Sequence, residues 1–204
     1  PSPPPPQHVA LLQLIQDALR SPAPQQARPL ARRLIDLAPN WLPAHLAWAR
    51  ALRSCDENQD ALKACLKAEE MNPTDVALLM EKALVLRKLD RLAEAEGVYR
   101  QAIVLHPQVA ALHHNLGNLL QRRKSWEEAQ QAYRLAIQLA PQMAEAHTEL
   151  GNLLQALGQP AQAQQCWADA LDARPNFAPA WQKLETSLNL LDPVQGIHSL
   201  QNQS

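Results

Sequence analysis

LGNLL occupies residues 116–120 and recurs at residues 150–154, an offset of 34 residues. Three residue types keep the same step over most of the chain: Pro39, Pro73, Pro107, Pro141 and Pro175; Ala27, Ala61, Ala95, Ala129 and Ala163; and Leu52, Leu86, Leu120, Leu154 and Leu188. A fixed period of about 20–50 residues is typical of repeat proteins, in which one small folding unit stacks on the next. The sequence therefore predicts an array of 34-residue units.

Within residues 144–177 the apolar pattern predicts a helix–turn–helix hairpin. Helical spacing is followed first by Ala146, His147, Leu150, Gly151 and Leu154, and then by Ala163, Trp167, Ala170 and Leu171. Gly158 and Pro160 lie between these two sets, where they favour a helix end and a helix start. Gly151 and Ala163 are small, which indicates that the two helices cross closely there.

Composition and charge exclude several classes of protein. Aromatic residues make up 4% and glycines number five, which argues against an all-β fold. A net charge of −1 gives no electrostatic case for nucleic acid, and no apolar run is long enough for a membrane span. The three cysteines form no CxxC pair, so we expect a reducing, cytoplasmic location without a disulfide framework or a zinc site. Motifs for a nucleophile elbow, a phosphate loop or a metalloprotease are absent from the sequence, so we expect no enzyme activity and no cofactor.

The units resemble the tetratricopeptide repeat (TPR), whose pattern joins Leu-Gly, Leu, Ala, an aromatic residue, Ala and Pro at fixed offsets. Residues 144–177 match it with Leu150, Gly151, Leu154, Ala163, Trp167, Ala170 and Pro175, and residues 110–143 match with Leu116, Gly117, Leu120, Ala129, Tyr133, Ala136 and Pro141. The resemblance implies an all-α solenoid, a right-handed superhelix of antiparallel hairpins with about five repeats and a C-terminal capping helix.

This resemblance divides the chain into a linker, an array and a tail. The predicted ranges are a proline-rich linker at 1–7 (PSPPPPQ, which is not a signal peptide), an array at 8–191 and a flexible tail at 192–204. The array comprises 8–41, which is degenerate, then 42–75, 76–109, 110–143, 144–177 and a capping helix at 178–191. Prolines at 22, 24 and 29 predict that the second helix of the first unit starts late, at about residue 27.

In TPR arrays the first helices line a concave groove, and positions 2, 5, 9 and 12 of each unit fall on one helical stripe. The resemblance therefore predicts a peptide-binding groove formed by Leu46, Arg50, Arg53, Met80, Leu84, Arg87, His114, Asn118, Gln121, Thr148, Asn152 and Gln155. Asn115, at the sixth position, is added to this groove by the similarity to O-linked GlcNAc transferase repeats described below. Amide side chains both donate and accept hydrogen bonds, so they suit the backbone of an extended peptide. Asn118 and Asn152 are not required by the packing pattern, so of the repeated LGNLL only the Asn is a candidate for function. A solvated helix face is the alternative interpretation of the stripe.

Cations, histidines and cysteines each allow a functional and a structural interpretation. Arg53, Arg87, Lys88, Arg122, Arg123 and Lys124 cluster at first-helix ends, where cations favour the helix dipole and need no acidic partner. His45, His113 and His147 share the fourth position of their units, and packing between helices is favoured over a metal ladder. Cys65 and Cys166 are predicted to be buried and inert, and Cys55 to be more exposed.

Two TPR subfamilies can be compared with the chain. Arrays that grip a C-terminal carboxylate use Lys at the fifth position, which here is Leu12, Leu46, Met80, His114, Thr148 and Gln182, so no carboxylate-clamp chaperone ligand is expected. The run HHNLGNLL, with Asn115 and Asn118, is similar to the repeats of O-linked GlcNAc transferases, although Ala47, Glu81 and Glu149 interrupt the asparagine ladder.

The sequence thus favours a non-catalytic scaffold that binds a protein or peptide segment. A substrate-recruiting arm of a larger glycosyl- or sulfotransferase and an assembly or secretion chaperone are the alternatives, and self-association remains open.

Overall fold

The computed structural model describes residues 5–191 of the chain, and the side chains of 188–191 are not described. This range contains eleven α-helices and one 3₁₀ turn, which confirms the predicted all-α fold. The helices are α1 (Pro6–Arg20), α2 (Ala27–Leu37), α3 (Leu42–Ser54), α4 (Asn58–Glu69), α5 (Val76–Lys88), α6 (Leu92–Leu105), α7 (Ala110–Arg122), α8 (Trp126–Leu139), α9 (Ala144–Ala156), α10 (Pro160–Ala173) and α11 (Ala178–Leu191). The chain divides into two compact units, with the boundary between His106 and Pro107.

Unit 1 contains α1–α6 and is built from sequential helix pairs. Helix α1 packs on α2, α3 on α4, and α5 on α6, while the first helices α1, α3 and α5 also contact one another in order. The first hairpins bury Ile15 and Leu34 among alanines such as Ala27, Ala31 and Ala44. Small alanines at the crossings let helix backbones approach closely while the larger side chains fill the remaining space.

Unit 2 contains α7–α11 in the same arrangement, with α11 packed on α10. The predicted close crossing of helices is confirmed at both of its hairpins. A Cβ atom added to Gly117 would lie 2.6 Å from a ring carbon of Tyr133, and one added to Gly151 would lie 2.5 Å from Trp167 Nε1. Each glycine therefore makes room for the aromatic residue of the second helix in its own hairpin.

A left-handed residue recurs at the end of the first helix in four hairpins. Asp56, Asp90, Lys124 and Gly158 have φ values of 58°, 59°, 62° and 76°. The next residue then returns a hydrogen bond to the helix, as Gln159 N does to Leu154 O at 2.9 Å. This is the Schellman arrangement, in which a left-handed residue ends the helix. The sequence predicted it at Gly158 only, because glycine favours this backbone conformation and Asp or Lys does not signal it.

The N-terminal boundary differs from the predicted linker at 1–7. Pro6 and Gln7 already belong to α1, because proline is accommodated in the first turn of a helix, where its missing N–H costs nothing. The second helix of this hairpin starts at Ala27 after a 3₁₀ turn at Pro24–Gln26, as the crowded prolines predict. Residues 1–4 and the predicted tail at 192–204 lie outside the described residues.

Candidate functional site

The hairpin α7–α8 carries a hydrogen-bonded cluster of Asn118, Gln121 and Tyr133. The Tyr133 hydroxyl donates to Asn118 Oδ1 at 2.8 Å and lies 2.7 Å from Gln121 Oε1. Since a hydroxyl has one proton, this geometry is best satisfied when one amide turns its NH2 group toward the hydroxyl oxygen. Asn118 and Gln121 are only partly buried, so both amides keep hydrogen-bonding capacity toward solvent.

The contact of Asn118 with Tyr133 corrects the prediction that packing does not require this asparagine. His114, also on the predicted stripe, has its ring centroid 6.1 Å from that of Tyr133, and its Nε2 lies 3.5 Å from Asn118 Nδ2. The repeat pattern predicts only apolar packing at the aromatic position and so does not predict the hydrogen bond from Tyr133 to Asn118. Tyr133 follows Asn118 by 15 residues, across the turn of the hairpin. Its hydroxyl is the feature of the sequence that indicates a hydrogen bond at this position. Asn115, the remaining predicted residue of α7, is partly buried.

The hairpin α9–α10 has the same positions with different chemistry. Trp167 replaces the tyrosine and is 2% exposed, and the Asn152 amide donates to Glu149 Oε2 at 3.3 Å. Trp167 Nε1 and Asn152 Oδ1 are both buried without a hydrogen-bond partner among the described residues. Gln155, one turn further along α9, is exposed. This hairpin therefore presents an exposed amide at Gln155 and an incompletely satisfied one at Asn152.

Two members of the predicted groove do not reach the surface of their units. Thr148 is 4% exposed, and its hydroxyl donates to Ala144 O at 2.9 Å within α9. Leu46 is 8% exposed and belongs to the core of unit 1. Both positions lie where a neighbouring helix covers the stripe, so neither side chain is available to a ligand in this structure.

In unit 1 a buried carboxylate at the sixth position of its repeat holds two arginines of the predicted stripe. Glu81 of α5 is 3% exposed and faces two arginines of α3. Arg53 donates to it through Nε at 2.6 Å and Nη2 at 3.4 Å, and Arg50 Nε lies 3.5 Å away. A buried charge needs such partners because desolvation is costly. Met80, Leu84 and Arg87, the other predicted residues of α5, are partly buried.

Comparisons with known proteins assign the fold to a family. A model of the Psidin N-terminal TPR repeats region matches residues 12–145, and a tetratricopeptide repeat model matches residues 120–188. The chain belongs to the tetratricopeptide repeat family. No curated protein matches the TPR chain in sequence.

Solved structures resemble the TPR chain over most of its length. The thermophilic TPR protein TTC0263 of Thermus thermophilus gives a TM-score of 0.79 at 20% identity, covering 89% of this chain and 98% of its own. PilF of Pseudomonas aeruginosa gives 0.70 at 18% identity and covers 97% of each chain. YrrB, described as a TPR protein with an unusual peptide-binding site, gives 0.60 at 16% identity, covering 86% of this chain and 89% of its own. At these identities the similarity establishes the TPR fold.

The periodic histidines of the TPR chain have a structural role in the interrepeat turns. His45, His113 and His147 each donate Nε2–H to the carbonyl oxygen of the proline six residues earlier, at 2.7, 3.0 and 3.0 Å. Trp181 occupies the same place in the last unit and donates Nε1–H to Pro175 O at 2.7 Å. The fourth position thus carries a hydrogen-bond donor that holds the turn before its helix. This structural role accounts for the 34-residue spacing of the histidines.

The basic residues at first-helix ends have varied surroundings. Arg53, Arg87, Lys88 and Arg122 lie in last turns, as the helix-dipole interpretation requires. Arg53 also has Glu81, and Lys88 Nζ lies 3.4 Å from Asp56 Oδ1. Arg123 caps α7, and Lys124 is the left-handed residue after it.

The cysteines differ in burial. Cys65 is fully buried, and burial raises the pKa of its thiol to about 12, so the reactive thiolate is suppressed. Cys55 and Cys166 are intermediate in exposure. The prediction for Cys166 as a buried residue is therefore wrong, because the outer face of α10 is only partly covered there. Among the described residues, no helix is both long and apolar enough to cross a membrane.

Proposed function

We propose that this TPR protein is a non-catalytic interaction scaffold that binds an extended segment of a partner protein through amide side chains of unit 2. The observation that carries the proposal is the repetition of an amide pair on two packed first helices. Asn118 and Gln121 of α7 correspond to Asn152 and Gln155 of α9, and these two helices contact each other.

The chemistry of the four side chains suits the backbone of a partner. An amide side chain has two donors and an acceptor, so it can pair with peptide N–H and C=O groups whatever the neighbouring side chains are. Exposed Gln155 offers all three. Asn118 Oδ1 already accepts from Tyr133 and Asn152 Oδ1 is buried, so these two asparagines chiefly offer N–H donors. Helices pack about 8–10 Å apart and an extended chain advances about 3.3 Å per residue, so successive amide pairs would meet a segment about every three residues. The peptide-binding site named for YrrB supports the proposal only in showing that this fold carries such a site.

A recruiting arm of a larger glycosyltransferase-type enzyme has less support than a scaffold. The resemblance to O-linked GlcNAc transferases depends on asparagines at the sixth and ninth positions, and at the sixth position only Asn115 supplies one in the central units. Glu81 at that position holds Arg50 and Arg53, and Glu149 accepts from Asn152. The glutamates at the sixth position are thus engaged in contacts inside the protein, with the preceding repeat for Glu81 and with the same helix for Glu149.

Peptide selection against the whole chain tests the proposal. Peptides are selected from a random library on the wild-type protein, and their affinities are then measured by fluorescence anisotropy for the double variant Gln121→Ala with Gln155→Ala. Loss of two net hydrogen bonds, each about 1 kcal/mol, predicts a fall in affinity of at least about tenfold. Gln155 is exposed and Gln121 only partly buried, so the double variant is expected to fold normally, as checked by circular dichroism.

The matched control replaces two exposed glutamines on the second helix of the same unit, Gln131→Ala with Gln138→Ala. Wild-type affinity in this control together with a weakened amide variant supports the proposal. Equal affinities for the wild type and the amide variant, or equal losses in both variants, would show that the selected peptides bind elsewhere.

A further inference from the structure

A basic cleft opens in unit 1 between α1, the 3₁₀ turn and α3. Its volume is about 420 Å³, and its walls include Gln16, Leu19 and Ser54. Three arginines line it: Arg20 at the end of α1, and Arg50 and Arg53 one turn apart on α3. The polar groups of the cleft are mainly hydrogen-bond donors, because guanidinium groups have no acceptor.

The cleft keeps an excess of positive charge after its ion pairs are counted. The carboxylate of Glu81 neutralises one of the two charges on Arg50 and Arg53. Asp17 lies 4.0 Å from Arg20, but both side chains are well exposed, so that pair contributes little. Two arginine charges therefore remain with, at most, a weak surface carboxylate opposite them.

The Arg50 guanidinium is partly exposed beside Glu81 and can reach a ligand in the cleft. Glu81 is its ionic partner among the described residues and engages Nε, which leaves both Nη groups to bind another acceptor. Arg53, held through Nε and Nη2, forms the floor beside it. A planar guanidinium fork matches the two oxygens of a carboxylate or phosphate.

We propose that this cleft binds an oxyanion carried by a side chain of a partner protein, a glutamate or aspartate carboxylate or a phosphoserine phosphate. The inference rests on the proposed scaffold function and adds to it the chemistry of one partner residue. A chain-terminal carboxylate held by fifth-position cations would be a different site, because Leu12, Leu46 and Met80 occupy those positions in unit 1.

The probes are single blocked residues, and the readout is the arginine side chains themselves. The ¹⁵N-labelled full chain is titrated with N-acetyl glutamate N-methylamide, the phosphoserine analogue, and the neutral glutamine analogue while the Arg Nε–Hε resonances are followed. Saturable shifts of Arg50 and Arg53 are expected for an acidic probe, with a dissociation constant of the order of 1–10 mM. The glutamine analogue is expected to produce no such shift, and added salt to weaken the binding of the acidic probes.

Two variants test the assignment while keeping Arg53, the closer partner of Glu81. Arg20→Gln changes an exposed side chain at the lip, and Arg50→Gln leaves Arg53 bound to Glu81. Each is expected to weaken the acidic probe about fivefold or more. Arg33→Gln removes an exposed cation of α2 that does not line the cleft, and it is expected to bind like the wild type.

Binding of the glutamate analogue identifies a carboxylate ligand, whereas binding of the phosphoserine analogue alone identifies a phosphate; both support an oxyanion site. The proposal is overturned if neither acidic probe gives saturable shifts, if the glutamine analogue binds equally, or if Arg33→Gln weakens binding as much as Arg20→Gln. The peptide-selection experiment reports on α7 and α9, whereas this titration reports on α1 and α3. Failure of one is therefore distinguishable from failure of the other.

Discussion

Single glycines show how much the TPR hairpin depends on the size of one side chain. Gly117 faces the ring of buried Tyr133, whose hydroxyl is held by Asn118. Gly97 is exposed in α6, and a Cβ added there would meet no atom within 4 Å. The same residue type is therefore required by packing at one position and is only a weak helix former at the other.

Replacing these two glycines with alanine is expected to change stability in opposite directions. Gly117→Ala forces the Tyr133 ring away from α7 and should lower the free energy of unfolding by about 1–3 kcal/mol. Gly97→Ala should raise it by about 0.5–1 kcal/mol, because alanine loses less backbone entropy in a helix. Urea denaturation followed by circular dichroism measures both values, and changes of the same sign would contradict the packing role of Gly117.

Residue-level roles differ in how far the sequence predicts them. Gly151 and Ala163 were predicted correctly as close-contact positions because small size has one main cause in a helix crossing. The burial of Glu81 is not predictable from the sequence, because a charged side chain is normally solvated and only the positions of Arg50 and Arg53 in space reveal its ion pairs. The hydrogen bond from Tyr133 to Asn118 joins two helices of one hairpin, and its signal in the sequence is the hydroxyl of a residue at an otherwise apolar position.

At the scale of the helix, the period predicts the elements well and their ends less well. Proline and alanine spacing predicts each hairpin because those residues are fixed by turns and crossings. Left-handed Asp56, Asp90 and Lys124 leave no sequence signal, since the returning backbone hydrogen bond stabilises them whatever the side chain. Which residues of the predicted groove are exposed is harder to predict than the helix ends, since Thr148 and Leu46 follow its period but are buried.

The hairpins α5–α6 and α7–α8 each bury one tyrosine, so the stability of the fold should depend on pH in the alkaline range. Burial raises the pKa of Tyr99 to about 12 and raises the pKa of Tyr133 as well. In the unfolded chain both phenols ionise near pH 10. Because the pKa of each phenol is higher in the folded protein, burying the neutral tyrosines stabilises the fold fully below about pH 10. This contribution to the free energy of unfolding is lost as the pH rises from about 10 toward the pKa of the folded state.

Tyrosinate absorbance is therefore expected to stay low as the folded protein passes pH 10 and to rise together with the loss of helical circular dichroism. These are the chain's two tyrosines, so the signal has no other source. The chain in concentrated urea serves as the control and should titrate near pH 10. A rise near pH 10 with the helical signal intact would show that the phenols are accessible to solvent.

For the whole molecule, packing between sequential helices predicts that stability is distributed locally. In unit 2 each helix packs on its neighbours in the chain, and in unit 1 the same is true of α1–α6. Repeat proteins of this kind gain stability from each repeat and its adjacent interfaces, so damage in one repeat need not reach a distant one. The two units should therefore respond separately to a local change.

Hydrogen exchange of two variants measures this separation. Gly117→Ala should speed amide exchange in α7–α10, because Tyr133 joins α8 to α7, while α1–α4 stay close to wild type. Arg53→Met should speed amide exchange in α3 and α5 and leave α7–α10 close to wild type. It leaves buried Glu81 with Arg50 as its remaining ionic partner and so loosens α3 from α5. Gly97→Ala is the control in which no region should exchange faster. If either destabilising variant raised exchange equally in both units, the chain would be one cooperative body and the local description of its stability would be wrong.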